Sequence, residues 1–352
     1  MKHKVAIVGL GGMGTWHLNE LETMPEPEVA GIWDIRESRR DYARERGVFV
    51  YNGFDAVLAD TQVDIVVIAT PNDDHKPLAI QAMQAGKHVI CEKPVTLCSK
   101  DLQEMMAVSQ ETGRFLTVHQ NRRWDRDFLM IKEILKEGKL GPVYRIESRV
   151  QGAHGIPGDW RQEPEKGGGM ILDWGVHLLD QVMLLYPDAL VETVYATVTN
   201  ITNTKVDDGF TADLGLDNGV HLIVQVGTSN FITLPRWMVL GRDGTAIIED
   251  WNRTGRLVCA RGNDEKDVVP VVTAAGITKT MAPRREDTIF TSDLPEVTSD
   301  VRDFYRNVIG YLDGTEERLI TLPQVARVMR LMETIVQSAA TKQVMPFDKV
   351  EG

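Results

Sequence analysis

The most restrictive feature of this chain lies within its first fourteen residues. Val5–Val8 is a short, wholly apolar run, as expected of a strand covered on both faces by helices. It leads straight into Gly9-Leu10-Gly11-Gly12-Met13-Gly14. A G-x-G-x-x-G match constrains little by itself in a chain with 30 glycines, but here its context is informative. The glycines follow a strand and open a helix predicted over Thr15–Glu22, so backbone N–H groups and the helix dipole face a phosphate without side-chain obstruction. A second apolar run, Val29–Trp33, then ends in Asp34. That spacing from the last glycine is where a dinucleotide-binding fold places the carboxylate that bonds the adenosine ribose hydroxyls.

Gly9, Gly11, Gly12, Met13 and Gly14, with Asp34, Ile35 and Arg36, therefore form a predicted dinucleotide cradle. The Asp34 carboxylate repels a 2′-phosphate and predicts NAD. Arg36, Arg39 and Arg40 stand close enough to leave NADP open as an alternative.

The same grammar continues with a helix predicted over Arg39–Arg46, the segment Phe54–Leu58, a strand over Asp64–Ala69 and a helix over His75–Ala85. A strand over His88–Cys91, a helix over Lys100–Thr112 and a strand over Phe115–Val118 follow. This alternation predicts an α/β fold: a doubly wound parallel Rossmann sheet with right-handed crossovers, occupying residues 1–120. Ligands of such sheets sit at the carboxyl ends of the strands. Three polar clusters fall there: Thr70-Pro71-Asn72 with His75, then Glu92-Lys93-Pro94, then His119-Gln120-Asn121-Arg122-Arg123.

These motifs, together with Ala69-Thr70-Pro71-Asn72, Cys91-Glu92-Lys93-Pro94 and the run Gly168-Gly169-Met170-Ile171-Leu172-Asp173-Trp174-Gly175-Val176-His177, carry a resemblance. The chain resembles the glucose-fructose oxidoreductase and inositol dehydrogenase (Gfo/Idh/MocA) family over nearly its whole length. Within that family, His119–Asp125 and Trp160-Arg161 look like the NADP-dependent scyllo-inositol dehydrogenases, from which Asp34 departs. The resemblance implies nucleotide contacts from Thr70, Pro71, Asn72, His75, Glu92, Lys93 and Gln120, and a cis bond before Pro94.

Hydride transfer from a secondary alcohol needs a group to take the hydroxyl proton and donors to hold the oxygen. Asp173 and His177 are spaced i and i+4, which on a helix puts them on one face. A carboxylate beside an imidazole fixes its tautomer and stabilises the imidazolium. Spacing alone equally allows a core histidine satisfied by Asp173 or Asp180. The resemblance implies that Asp173 and His177 are catalytic and that Lys93 contacts the reacting hydroxyl, where its charge supports a developing alkoxide. Glu92 is expected to hold local geometry. Arg122, His154, Trp160 and Arg161, with Lys93, Asp173 and His177, are the candidate substrate contacts, a mixture suited to a hydroxyl-rich ring. Arg123, Trp124 and Asp159 are further pocket candidates, with interdomain packing or a surface salt bridge the competing reading.

From Pro142 the periodicity changes. Tyr144, Ile146, Ser148 and Val150 alternate with Arg145, Glu147, Arg149 and Gln151, a half-exposed strand. Further runs at Val191–Thr199, Phe210–Leu216, Val220–Gly227, Trp237–Leu240 and Thr245–Asp250, with Asn218-Gly219 as a hairpin turn, predict a large, mostly antiparallel open sheet. Residues 121–352 thus read as a C-terminal α+β domain for substrate binding and oligomerisation. An uncovered sheet face needs a cover, and the resemblance implies homodimers or homotetramers built through it. Asp207-Asp208 is either a turn or a substrate contact. Residues 260–299 read as a long excursion ordered by a neighbouring subunit, and Pro323 opens a helix with Val325, Val328, Met329, Met332, Ile335 and Val336 on one stripe.

Composition excludes several other classes. A net charge of -12 without a basic cluster argues against nucleic acid and anionic lipid as partners. Cys91, Cys98 and Cys259 lack metal-ligand spacing and suit a reducing compartment as structural thiols, so no metal is predicted. There is no apolar run long enough to span a bilayer, and the expected location is the cytoplasm. The sequence thus predicts hydride exchange between a sugar, glycoside or inositol and NAD(P). Its alternatives are a glycosidase or lyase that uses bound NAD transiently, and a non-catalytic dinucleotide sensor.

Overall fold

A computed structural model describes residues 3–262, 269–278 and 281–348. The first half alternates β1 (Lys4–Val8), α1 (Gly12–Glu22), β2 (Glu28–Trp33), α2 (Glu37–Glu45), α3 (Phe54–Ala59), β3 (Ile65–Ile68), α4 (His75–Gln84), β4 (His88–Cys91), α5 (Ser99–Thr112) and β5 (Leu116–Val118). The strands form one parallel sheet in the order β2-β1-β3-β4-β5. β1, β3, β4 and β5 are buried almost throughout, which is why they read as continuous apolar segments rather than as alternations. Val50 makes an isolated parallel bridge to Ile32 on the outer side of β2. A single paired residue thus stands where a further strand of a doubly wound sheet would lie.

After α6 (Arg126–Glu137) the second sheet begins with β6 (Val143–Gln151). The helix α7 (Val176–Leu185) follows, then β7 (Val191–Thr199), β8 (Gly209–Leu216), β9 (His221–Gly227), β10 (Trp237–Gly241), β11 (Gly244–Ile248) and β12 (Gly255–Ala260). A small hairpin of β13 (Val271–Thr273) and β14 (Gly276–Thr278) precedes β15 (Ile289–Ser292). The chain ends with α8 (Asp303–Leu312), α9 (Leu322–Thr341) and β16 (Met345–Pro346). Nine strands join in the order β15-β12-β11-β10-β6-β9-β8-β7-β16. Every pair is antiparallel except β6 with β9, so the sheet is mostly antiparallel, as its alternating pattern predicts.

The excursion around 260–299 is more regular than its sequence suggests. Part of it lies outside the described residues, but β15 pairs with β12 and forms an edge of the large sheet. In α9 the capping box of Thr321 and Gln324 fixes the first turn, and Val325, Val328, Met329, Met332 and Ile335 are buried. Val336 departs from the predicted stripe and is 52% exposed.

Helix α8 packs back on the half of the chain that carries the parallel sheet. The Phe304 ring meets His119 edge-on at 4.7 Å, Tyr305 bonds His17, and Tyr311 lies 5.0 Å from Phe115. Among the described residues no helix is long and apolar enough to cross a membrane.

Candidate active site

The glycine loop is shaped by what it must approach. Gly9 has φ +90, and a Cβ there would lie 2.6 Å from the Ala69 carbonyl oxygen; a Cβ on Gly14 would lie 1.8 Å from the Gly9 oxygen. β1, β3 and α1 therefore meet at a separation only glycine permits. A Cβ on Gly12, at the start of α1, would meet nothing within 4 Å. The helix N-terminus thus opens on clear space with its N–H groups unobstructed, which fits a pyrophosphate.

Asp34 completes this cradle at the end of β2. Its carboxylate accepts from Leu10 N at 2.7 Å and Arg36 N at 2.8 Å, with the Arg36 side chain at 3.4 Å. Burial opposes its charge, yet these donors outweigh burial and hold the carboxyl below its ordinary value. Arg40 bonds the Asp34 and Ile35 carbonyls and Glu37, so it is occupied with fixing the loop. Ile35 is strongly exposed beside the acid, leaving an apolar surface available to a base.

The other predicted nucleotide contacts fall into two groups. Asn72 is buried and bonds the Lys166 carbonyl at 3.0 Å. Both ring nitrogens of His75 lie 3.0 Å from carbonyl oxygens, those of Pro94 and Thr70. Burial lowers its pKa, and the ring stands between the two loops, its single N–H when neutral able to donate to one of the two carbonyls. Gln120 is buried with its Oε1 unpartnered. Met13, Thr70 and Pro71 remain on the accessible rim.

Glu92 is the centre of a cluster that the sequence did not reveal. Its Oε1 lies 2.8 Å from His17 Nε2 and 2.7 Å from His119 Nδ1, Oε2 accepts from Lys93 N at 3.1 Å, and the Tyr305 hydroxyl closes on His17 Nδ1. Burial alone would neutralise Glu92, but the two histidines outweigh it and keep the carboxyl well below its usual range. Glu92 thus bonds both histidines and the backbone of Lys93. The Lys93–Pro94 peptide is cis.

Lys93 reaches across to the second half of the chain. Its Nζ donates to Asp173 Oδ1 and to the Asp173 carbonyl, both at 3.2 Å. Asp173 Oδ2 accepts from Arg161 Nε at 2.8 Å, and Arg161 also bonds Asp159 at 2.8 Å. Burial works against the Asp173 charge, and Lys93 and Arg161 override it to lower the pKa.

The expected Asp173–His177 pair does not form. Residues Ile171–Gly175 make a π-helical turn before α7, and this wider winding changes the register that a regular i,i+4 face requires. The Asp173 carboxylate turns to Lys93 and Arg161 instead. Among the described residues neither nitrogen of the His177 ring has a hydrogen-bond partner, and Nδ1 is fully enclosed. Asp180, the other proposed partner, is taken by Arg123 in two 2.7 Å bonds. Burial first, then the charges of Lys93 and Arg122, hold the His177 pKa well below the ordinary imidazole value.

The turn is held in place by Asp207, whose Oδ2 accepts from Met170 N at 2.8 Å and Ile171 N at 2.9 Å. A Cβ on Gly169 would lie 2.3 Å from its Oδ1. Asp208 instead ties Thr199, Thr202 and Asn203 together. Both acids are thus structural in this arrangement.

Next to these residues lies a cleft of ≈ 720 Å³, lined by Arg122, His154, Arg161, Asp173, Trp174 and Trp251 among others. The Arg122 guanidinium stacks 4.3 Å from the Trp174 ring and 5.6 Å from Trp251. Arg161 stacks 4.5 Å from Trp160. Arg123 and Trp124 do not belong to this wall. Arg123 is locked to Asp180, Leu319 and Gln324, and Trp124 packs edge-on against Phe304. Trp251 was missed because it comes from a hairpin turn far along the chain, and no local pattern marks it.

Residues 3–120 match the model of an oxidoreductase family with an NAD-binding Rossmann fold, and residues 128–247 match the GFO/IDH/MocA C-terminal domain. An uncharacterised oxidoreductase of Schizosaccharomyces pombe is 36% identical over 190 residues, 52% of this chain and 51% of the relative. The chain thus spans about half the length of that relative. A scyllo-inositol 2-dehydrogenase (NADP(+)) of Bacillus subtilis is 27% identical over 359 aligned positions, covering 98% of this chain and 96% of its own. The crystal structure of an NAD-binding protein from Listeria innocua superposes with a TM-score of 0.94 at 44% identity, covering 98% of this chain and 99% of that one. With residues 3–120 and 128–247 matched, the chain belongs to the GFO/IDH/MocA family of NAD-binding oxidoreductases.

Proposed function

We propose that the protein exchanges hydride between a secondary alcohol on a polyhydroxylated ring, a sugar, glycoside or inositol, and a nicotinamide dinucleotide, with NAD preferred. The observation that carries this reading is the 3.2 Å contact between Lys93 of the nucleotide-binding half and Asp173 of the second half. It fixes an ammonium just past the carboxyl end of β4, where its charge also acts on the enclosed His177 imidazole.

In this reading Lys93 donates to the alcohol oxygen and offsets the charge that develops on it. His177 takes the hydroxyl proton; the pKa lowered by burial, Lys93 and Arg122 keeps its ring neutral and able to accept. Asp173, gripped by Arg161, fixes the ammonium in place. Bound nicotinamide supplies the acceptor for the hydride. Asp34 turns away a 2′-phosphate, since its buried anion is held charged by Leu10 and Arg36. Arg122, His154, Trp160 and Arg161 are the substrate's remaining contacts.

We assign nucleotide binding to residues 1–120 and substrate binding to 121–352. We also place the protein in the cytoplasm as a homo-oligomer joined through the open face of the large sheet, where Tyr195 is exposed. The test is a panel of inositols, hexoses and glycosides, each offered with NAD and with NADP while the absorbance of reduced nicotinamide is followed. NAD reduction by at least one ring, faster than with NADP, is the expected result. Absence of reduction with every member would overturn the reading.

A further inference from the structure

Resting on the ring-oxidation reading, we propose that the ≈ 720 Å³ cleft holds a second, neutral ring of the substrate, with Trp251 as its stacking platform. The substrate class is then a two-ring glycoside, such as a disaccharide or an aryl glycoside, rather than a free cyclitol or monosaccharide.

Three observations lead there. The first is volume and position. A six-membered polyol displaces about as much space as six waters, roughly 180 Å³ at about 30 Å³ per water, so the cleft holds several times one such ring. The nucleotide does not account for the remainder, because none of the cradle glycines, Thr70, Asn72, Lys93 or His177 lines the cleft. The cleft joins the reacting groups only at its edge. Asp173 and Arg161 line it, and Asp173 is the residue that Lys93 touches. A ring seated against Lys93 and His177 therefore leaves the space beyond Asp173 open.

The second is the aromatic wall. Trp251 stands 6.0 Å from Trp174 and still leaves 48% of its own surface exposed. Its position is built rather than incidental. The turn between β11 and β12 is closed by Asp250 accepting from Thr254 N at 3.1 Å, and Arg253 adopts φ 66, a left-handed conformation uncommon for a residue with a side chain. Arg236 braces the indole from 4.9 Å, and Arg122 from 5.6 Å. A tryptophan face held open over a cleft with polar rims suits the apolar face of a sugar or an aryl ring.

The third is charge. Arg122 is paired with Asp125 at 3.0 Å, and Arg161 with both Asp159 and Asp173 at 2.8 Å. The cationic side chains on the wall are thus already matched by carboxylates. The cleft presents hydrogen-bonding and stacking surface without surplus positive charge, which selects a neutral glycoside over a sugar phosphate or uronate.

The experiment compares glucose and galactose with their α- and β-linked phenyl glycosides and disaccharides, and with glucose 6-phosphate. Both kcat/KM with NAD and calorimetric Kd are measured for the wild type, Trp251→Phe and Trp251→Ala. The expected wild-type result is a kcat/KM at least tenfold higher for the best two-ring compound than for its free ring. In Trp251→Ala that ratio collapses toward one, chiefly through KM, and Trp251→Phe restores most of it. If Trp251→Ala leaves the ratio unchanged, or if glucose 6-phosphate binds more tightly than every neutral glycoside, the second-ring subsite is overturned while ring oxidation stands. If no compound is oxidised by the wild type yet glycosides bind and lose that binding in Trp251→Ala, the subsite stands and the oxidation reading falls.

Discussion

Lys93 and Asp173 sit 80 positions apart in the chain and 3.2 Å apart in space, and their contact joins the parallel-sheet half of the molecule to the second half. The ammonium meets both the carboxylate and the backbone carbonyl of Asp173. Its position is therefore set by the π-helical turn as well as by β4.

Removing that ammonium should abolish most of the rate. Lys93→Ala is expected to lower turnover by at least about two orders of magnitude, roughly 2.7 kcal/mol of barrier, while NAD affinity stays near wild type. His177→Ala should lose a similar factor, in the range of about 10²–10⁴ typical of a positioned acid or base. Steady-state kinetics paired with equilibrium NAD titration check both; undiminished turnover in both variants refutes the site.

The pH profile should report the His177 environment. Burial lowers its pKa first, and the Lys93 and Arg122 charges lower it further. The acid limb of kcat/KM for oxidation is thus expected well below pH 6.5, near which a free imidazole titrates. Arg122→Gln removes one positive neighbour, raises the His177 pKa and moves that limb to higher pH. A limb that stays in place would assign the base to another group.

Nucleotide choice should follow Asp34. Asp34→Ser removes the buried anion and is expected to narrow the ratio of NADP to NAD dissociation constants by at least about tenfold, or 1.4 kcal/mol. Fluorescence titration of both nucleotides gives the ratio directly, and an unaltered value would separate Asp34 from selectivity.

Stability should carry the signature of Asp207. Burial raises its pKa to about 6, ahead of the lowering by the Ile171 and Met170 N–H groups. The folded state therefore binds this proton more tightly than the unfolded chain. That contribution is fully present below the unfolded value near 4 and is lost as pH rises through about 6. Asp207→Asn cannot ionise, so its Tm relative to wild type should improve between pH 5 and pH 7.5. Parallel Tm curves for the two proteins would place the titration elsewhere.

What could be read from the sequence was local. The glycine spacing, Asp34 and the strand periods each depend on neighbours within one or two elements, and the parallel sheet follows from them. The site was only partly visible. Lys93, Asp173 and Arg161 could be named, but their mutual contacts could not, because they depend on where β4 and the turn before α7 meet. The i,i+4 spacing of Asp173 and His177 pointed to a pair that the π turn prevents. His17, His119 and Tyr305 are far apart in sequence and gather around Glu92 only after folding. Trp251 reaches the cleft through the register of β11 and β12, which no single-strand pattern encodes.

The return of α8 to the first sheet has a price during synthesis. Phe304 and Tyr305 roof over His17 and His119, yet they leave the ribosome roughly 190 residues after β5, about 10–40 s later at ordinary elongation rates. For that interval the nascent nucleotide-binding half has an aromatic and histidine-lined floor bare to water. Helpers that shield unfinished chains should therefore engage this protein early and release it only once its tail has emerged.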